Sequence, residues 1–384
     1  MKIVYVIDSL ASKGGAERIL SEKMNYLTTI YGYDISVITC YQNPSLSPNA
    51  YSLSDLVKQI DLNIPYYSQY QYKYPFRLWI KYSLYRKLRN ELKRAIQQIN
   101  PDIIIGLGYF MGDFISSLKC QSAKIIESHE ARIFTMSNNG LHRSFISKAY
   151  MHFYKRYYLK KIEKNADVVV TLTNGDAQEW KRAKRIEVIP NFTMMRPSIN
   201  EKNNNKRIIS VGRLEWQKGY DRLIDIWKIV SSKHPDWHLT IFGSGTLGNE
   251  INSNIRDTEL KNIDIHSFTP NISQEYSGSS IFVLPSRFEG FPLVLLEALQ
   301  HGLPCVAFDC PFGPKDVIEN GTCGYVIKNG DIETFANRIC QLIDDHNKRV
   351  AFSQAAIQRA KDFDVNTIMK KWQTLFVSLI QNRL

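Results

Sequence analysis

Short apolar runs alternate with helix-like stretches along most of this chain. Lys2–Ile7, Ile35–Thr39, Ile103–Gly106, Lys124–Glu127 and Val168–Leu172 read as buried strands. Helical spacing fills most of the gaps between them, and that alternation predicts a parallel, doubly wound sheet. A second series runs through Ile208–Gly212, Leu239–Phe242, Ile263–His266, Ile281–Leu284 and Pro304–Phe308. Between the two series, residues 193–206 (TMMRPSINEKNNNK) are polar and turn-forming, as a linker is. The pattern therefore predicts two α/β domains, 1–192 and 193–364, which 384 residues can supply with separate cores. A final helix is expected over about 365–384. Residues 42–70, rich in Tyr, Ser, Asn and Pro, show neither period and are expected to form a long loop.

The most informative stretch is Ser280–Ile327, SIFVLPSRFEGFPLVLLEALQHGLPCVAFDCPFGPKDVIENGTCGYVI. Its first strand stops at Pro285, and the loop Ser286–Phe291 follows. Pro292 takes the favoured first position of a helix, and Leu293–Gln300 are strong helix formers. Strand, loop, helix and strand make one right-handed βαβ unit, whose first loop lies where such sheets bind ligands. Glu289 and Glu297 flank the helix start, the second about 8 Å along the axis at ~1.5 Å per residue. Helix-start amides suit a phosphate, whereas carboxylates accept hydrogen bonds from a diol. Both features together fit a nucleotide sugar. Two glutamates on a solvated helix start are the plainer alternative.

The run EGFPLVLLEALQHGLP with FDCPFGPKDVIENGTCGYVI resembles the donor-binding core of family 4 retaining glycosyltransferases, which have the glycosyltransferase B fold. The resemblance implies two facing Rossmann-like domains with a cleft between them. It also implies that Glu289 faces the donor sugar and Glu297 holds the ribose hydroxyls, with Gly290, Phe291, Pro292 and Leu293 lining the donor site. Arg213 and Lys218 match the family's G-R-x4-K-G pattern, and Arg and Lys in a strand-end loop suit a diphosphate. Gly14 and Gly15 match a family loop facing the diphosphate and acceptor. Gly243 and Phe268 stand where the family holds the nucleoside. His129 follows a strand, where the family places a histidine near the donor phosphate or sugar. The resemblance is strong over 205–330, fair over 1–20 and weak through 40–160.

Charge adds a partner. The net charge is +12, and all of it lies in residues 1–200, where 28 Lys and Arg face 16 Asp and Glu. Tyr72–Arg94 holds eight basic residues and six aromatics. His142–Lys164 holds seven basic residues and six aromatics. Phe76, Trp79, Ile80, Leu84, Leu88 and Leu92 recur at helical spacing, which predicts an amphipathic helix. Basic residues with interfacial aromatics suit an anionic membrane surface. The alternative is an apolar stripe packed on the sheet beneath a solvated charged face. Six cysteines without CxxC pairs read as buried reduced thiols, hence a cytoplasmic protein at the inner membrane face. Asp362-Phe363-Asp364 lies near a helix start and reads as a cap rather than a metal site.

The expected activity is transfer of a sugar from a nucleoside-diphosphate donor, UDP-linked, to a hydroxyl of a glycan or lipid-linked oligosaccharide acceptor. Domain 1–192 takes the acceptor and 193–364 the donor. Glu289, His129, Arg213 and Lys218 carry the chemistry, with no metal and no further cofactor. A nucleotide-sugar 2-epimerase of the same fold and a non-catalytic nucleotide-sugar-binding protein remain alternatives. Nucleic acid is not expected as a partner, because it would explain the charge but not the Glu289/Glu297 loop.

Overall fold

The computed structural model describes residues 1–12, 14–42, 49–129, 145–195, 205–258, 260–381 and 383. It divides into two units: Met1–Ile189 with Met369–Leu384, and Pro190–Ile368. The first junction falls at Ile189/Pro190, three residues before the expected boundary. Residues 196–204 of the expected linker, with Glu130–Ser144, lie outside the described residues.

The first unit contains β1 (Lys2–Ile7), β2 (Asp34–Thr39), β3 (Lys58–Asp61), β4 (Ile103–Leu107), β5 (Ala123–Ser128), β6 (Val168–Thr171) and β7 (Ile186–Val188). Their order is β3-β2-β1-β4-β5-β6-β7. The second unit contains β8 (Arg207–Val211), β9 (His238–Phe242), β10 (Ile263–His266), β11 (Ile281–Leu284), β12 (Cys305–Asp309) and β13 (Gly324–Lys328). Their order is β10-β9-β8-β11-β12-β13. Every paired strand runs parallel to its neighbour. The doubly wound expectation holds for both units.

Each order reverses direction once, between β1 and β4 and between β8 and β11. At such a switch point the flanking helices leave on opposite faces, so the loops at the strand carboxyl ends part and open a crevice. Ile3, Val4, Ile104, Ile125 and Val169 are buried in the first sheet, and Ile208, Leu239, Ile241, Ile281 and Val306 in the second. Continuous apolar strands of this kind follow from burial on both faces of a parallel sheet.

Residues 42–70 are not one long loop. They contain β3 and a 3-10 turn over Tyr66–Gln71. β3 sits at the sheet edge with Lys58, Gln59 and Asp61 exposed, so it has no apolar run to betray it. The cysteine reading also needs amending. Cys120 is exposed, while Cys40, Cys305, Cys310, Cys323 and Cys340 are buried free thiols.

The basic stretch 72–94 enters the helix Phe76–Ile99. Its apolar stripe does not pack along its whole length. Leu88 and Leu92 are buried, but Phe76 is 55% and Trp79 64% exposed. Around them Tyr72, Tyr74, Leu78 and Tyr82 are also exposed. Among the described residues, no helix is long and apolar enough to cross a membrane.

Candidate functional site

The second unit gathers its chemistry at the β8/β11 switch point. The loop after β8 carries Arg213 and Lys218, and the loop after β11 carries Glu289. Backbone contacts clamp the two loops together. Gly219 adopts φ +70°, and a Cβ there would stand 2.2 Å from the Pro285 carbonyl oxygen; only glycine permits that approach. Arg287 N–H donates to the Gln217 carbonyl at 2.8 Å, and Gln217 Nε2 donates to the Phe288 carbonyl at 3.0 Å. Arg287 also forms a two-pronged pair with Asp221 at 2.6–2.8 Å, which fixes its plane.

That clamp brings Lys218 Nζ to 2.6 Å from Glu289 Oε1. Ser286 Oγ donates to the same oxygen, also at 2.6 Å. Glu289 is 5% exposed, so the plainer reading of a solvated glutamate does not hold. Its charge is felt around it: burial, then the Glu289 carboxylate, push the Cys310 thiol up. Burial likewise pushes the Tyr220 phenol up, opposed by a Ser210 hydrogen bond and reinforced by Glu289. Arg213 is exposed in the same loop.

Glu297 lies in the helix Leu293–Gln300 and is 4% exposed. Tyr276 Oη donates to its Oε2 at 2.9 Å, and Tyr276 stacks on His301 at 5.2 Å. The helix opens one residue later than the sequence suggests, because Pro292 is its cap with ψ 98°. In its first turn Leu295 N–H donates to the Pro292 carbonyl at 3.0 Å, and the Leu293 and Val294 amides precede that first bond. Gly290 and Phe291 form the approach, and the Phe291 ring meets Phe363 at 6.0 Å.

Gly243 ends β9 hard against the neighbouring loop, where a Cβ would stand 1.9 Å from the Gly212 carbonyl oxygen. Hydrogen bonds from Leu214 N–H to the Ser244 carbonyl and from Leu247 N–H to the Leu214 carbonyl, both 2.9 Å, hold the loops there. Phe268 follows β10 and is 76% exposed. Asp364 Oδ1 accepts from Asn366 N–H at 2.8 Å, and Asp362 pairs with Arg359 at 2.7 Å. The Asp364 contact is that of a helix cap, and the Asp362 contact is an ion pair three residues apart. Among the described residues, no three His, Cys, Asp or Glu side chains gather as metal ligands.

In the first unit, Gly14 caps the helix Gly15–Thr29. A Cβ on Gly14 would meet Glu17 Oε2 at 2.2 Å, and Ser12 Oγ donates to Glu17 Oε1. The carboxylate at this helix start thus comes from the chain itself. His129 follows β5, with Nε2 3.0 Å from Glu127 Oε1.

Residues 191–359 match the family described as glycosyl transferases group 1. Over its full length the chain is 28% identical to the amylovoran biosynthesis glycosyltransferase AmsD of Erwinia amylovora, covering 97% of this chain and 99% of that protein. The group 1 glycosyl transferase match thus falls within the second unit. Sucrose-phosphate synthase from Thermosynechococcus elongatus superposes with a TM-score of 0.79 at 18% identity, covering 99% of both chains. Anabaena Alr3699/HepE, solved with UDP and glucose, superposes at 0.72 with 19% identity, covering 98% of this chain and 100% of that one. The fold is the glycosyltransferase B fold.

For this glycosyltransferase the sequence names Arg213, Lys218 and Glu289 separately, and the structure brings Lys218 and Glu289 into contact. It gives Glu297 a different neighbour, Tyr276. Sequence reasoning missed Ser286, Gln217 and Tyr276. Ser286 stands three residues before Glu289 in the same loop, so its reach was visible in the spacing. Tyr276 leaves no such signal, since it lies 21 residues from its partner.

Proposed function

We propose that this glycosyltransferase moves a hexosyl group, with retention, from a UDP-sugar to a hydroxyl of a lipid-linked glycan in bacterial surface polysaccharide biosynthesis. The observation that carries the reading is the buried Lys218–Glu289 pair beside Arg213 at the β8/β11 switch point. Cations there match the charge that grows on a departing nucleoside diphosphate, with Lys218 the more shielded from water and Arg213 exposed. Amides near Phe291 add partial positive charge. Glu289 Oε1 already accepts from Lys218 and Ser286, which suits a carboxylate that orients a sugar ring rather than one that attacks it. The acceptor hydroxyl approaches from the face of the leaving phosphate, whose oxygen takes its proton. Support for the polysaccharide setting comes from the amylovoran enzyme, and support for UDP from the Anabaena neighbour.

The test is a screen of UDP-glucose, UDP-galactose and UDP-N-acetylglucosamine. UDP at 100 times its Kd should stabilise the protein by roughly 2.7 kcal/mol. At least one UDP-sugar should release UDP, and release should continue in excess EDTA, because Arg213 and Lys218 carry the positive charge in this proposal. No thermal shift and no UDP release with any donor would rule out the UDP assignment. Loss in EDTA, restored by a divalent ion, would rule out the metal-free part.

The exposed aromatics at the start of the helix Phe76–Ile99 favour a membrane-facing first unit, placed at the inner face of the cytoplasmic membrane. Arg77, Lys81, Arg86 and Lys87 accompany them, and each basic residue near an anionic surface contributes about 1 kcal/mol. Sedimentation with vesicles containing phosphatidylserine should show binding that weakens as salt rises. Phe76→Ser with Trp79→Ser should abolish it without moving Tm, because both rings are exposed. Binding that survives both changes would place the contact elsewhere.

A further inference from the structure

Beneath His129 lies a buried polar chain that the proposed reaction leaves without a role. Glu127 Oε1 receives two donors, His129 Nε2 at 3.0 Å and Lys23 Nζ. The side chains of Lys23 and Glu127 are each 1% exposed. Glu127 Oε2 is also buried and has no hydrogen-bond partner among the described residues, so both donors converge on one oxygen. The Lys23 ammonium lies 4.0 Å from the Trp372 ring centroid and 5.6 Å from that of Tyr5. Lys23 comes from the helix Gly15–Thr29, Glu127 from β5, Tyr5 from β1 and Trp372 from the C-terminal helix Val365–Gln381. Four separate elements thus meet under one histidine. Stability is a weak reason for such a pair, since well-packed apolar residues replace buried ion pairs at little or no cost.

We propose that Glu127 and Lys23 are positioning residues that fix the orientation and tautomer of His129. A carboxylate only accepts, so the short contact to Glu127 requires the proton on Nε2 and leaves Nδ1 as the acceptor of the ring. Burial acts to raise Glu127, but the Lys23 ammonium and His129 beside it bring it well below the usual carboxylate range; it is ionised. Burial pulls Lys23 down, and Glu127 opposes that pull. An uncompensated buried carboxylate would draw a second proton onto the imidazole. Lys23 offsets that charge, and Glu127 orients the ring. The rings of Trp372 and Tyr5 hold the ammonium in place through their faces. Burial, then Glu127, push the Tyr5 phenol well up, so it adds no competing charge.

The proposal rests on the glycosyltransferase reading only for the use made of His129, and its test separates the two. Full-length protein labelled with 15N-histidine reports tautomer and titration directly, with His129→Asn identifying the signal among eight histidines. Wild type should show the Nε2–H tautomer. Lys23→Met leaves the Glu127 carboxylate buried without its ammonium and should change the His129 tautomer signal from that of wild type. Its release of UDP from UDP-glucose should fall several-fold, with UDP affinity unchanged. The double variant Lys23→Met with Glu127→Gln carries no buried charge and should keep its Tm, yet show mixed tautomers and a similar loss of kcat without a change in KM. A folded double variant with wild-type tautomer and kcat would overturn the proposal. If wild type turns over no UDP-sugar, the functional reading fails, while the tautomer measurement still decides the positioning role.

Discussion

Lys218→Ala should lower turnover roughly tenfold to a hundredfold or somewhat more, and should also lower Tm. The ammonium is worth about 1.5–3 kcal/mol as a charge-assisted donor to the diphosphate, and each 1.36 kcal/mol is tenfold in rate. The stability loss has a separate origin. Removing Lys218 leaves Glu289 buried and unpaired, which costs ~3–5 kcal/mol for a fully buried pair. The loss here should be smaller, because the Lys218 side chain keeps 15% of its exposure. Adding Glu289→Gln to Lys218→Ala should therefore recover Tm while leaving turnover low. Arg213 is exposed, so Arg213→Ala should cut turnover by a similar factor with Tm unchanged. UDP release and calorimetry on these four proteins separate the effects. Wild-type turnover in both single variants would remove the diphosphate assignment.

Gly243→Ala should produce the largest stability effect of any single methyl in the second unit. The new Cβ would stand 1.9 Å from the Gly212 carbonyl oxygen and 3.0 Å from its carbon. Both neighbours are backbone, so neither can rotate aside. Overpacking costs typically 1–3 kcal/mol and occasionally more; backbone on both sides puts this site at the upper end, about 3 kcal/mol. At ~2–4 °C per kcal/mol the transition should fall by about 6–12 °C. Gly248→Ala is the control, since its Cβ would meet only Leu214 Cδ1 at an ordinary 3.5 Å. It should shift Tm by no more than the ~1 kcal/mol separating the two residues in helix propensity. Equal transitions for the two variants would mean that the strand-end loops do not meet as described.

Much of this molecule was written locally. Two series of apolar runs separated by helical spacing determine two parallel sheets, because burial on both faces makes their strands near-continuous apolar runs. The same local logic located Lys218 and Glu289 at strand ends and read Asp364 as a helix cap. It failed wherever an element lacked a buried face of its own. β3 carries exposed Lys58, Gln59 and Asp61 around a single partly buried Ile60, so no apolar pattern marks it. The helix Phe76–Ile99 has a continuous apolar period, yet only its later turns lie against the core; periodicity tells which face is apolar, not what covers it. Pairings across the chain were the other silence. Lys218 and Glu289 are 71 residues apart, and Lys23 and Glu127 are 104 apart. Only the strand order β8–β11 and the packing of the helix Gly15–Thr29 near β5 bring these charges together. Ion pairing acts over a few ångströms of space and is indifferent to separation along the chain. The sequence could name the charged residues, but the topology had to choose their partners.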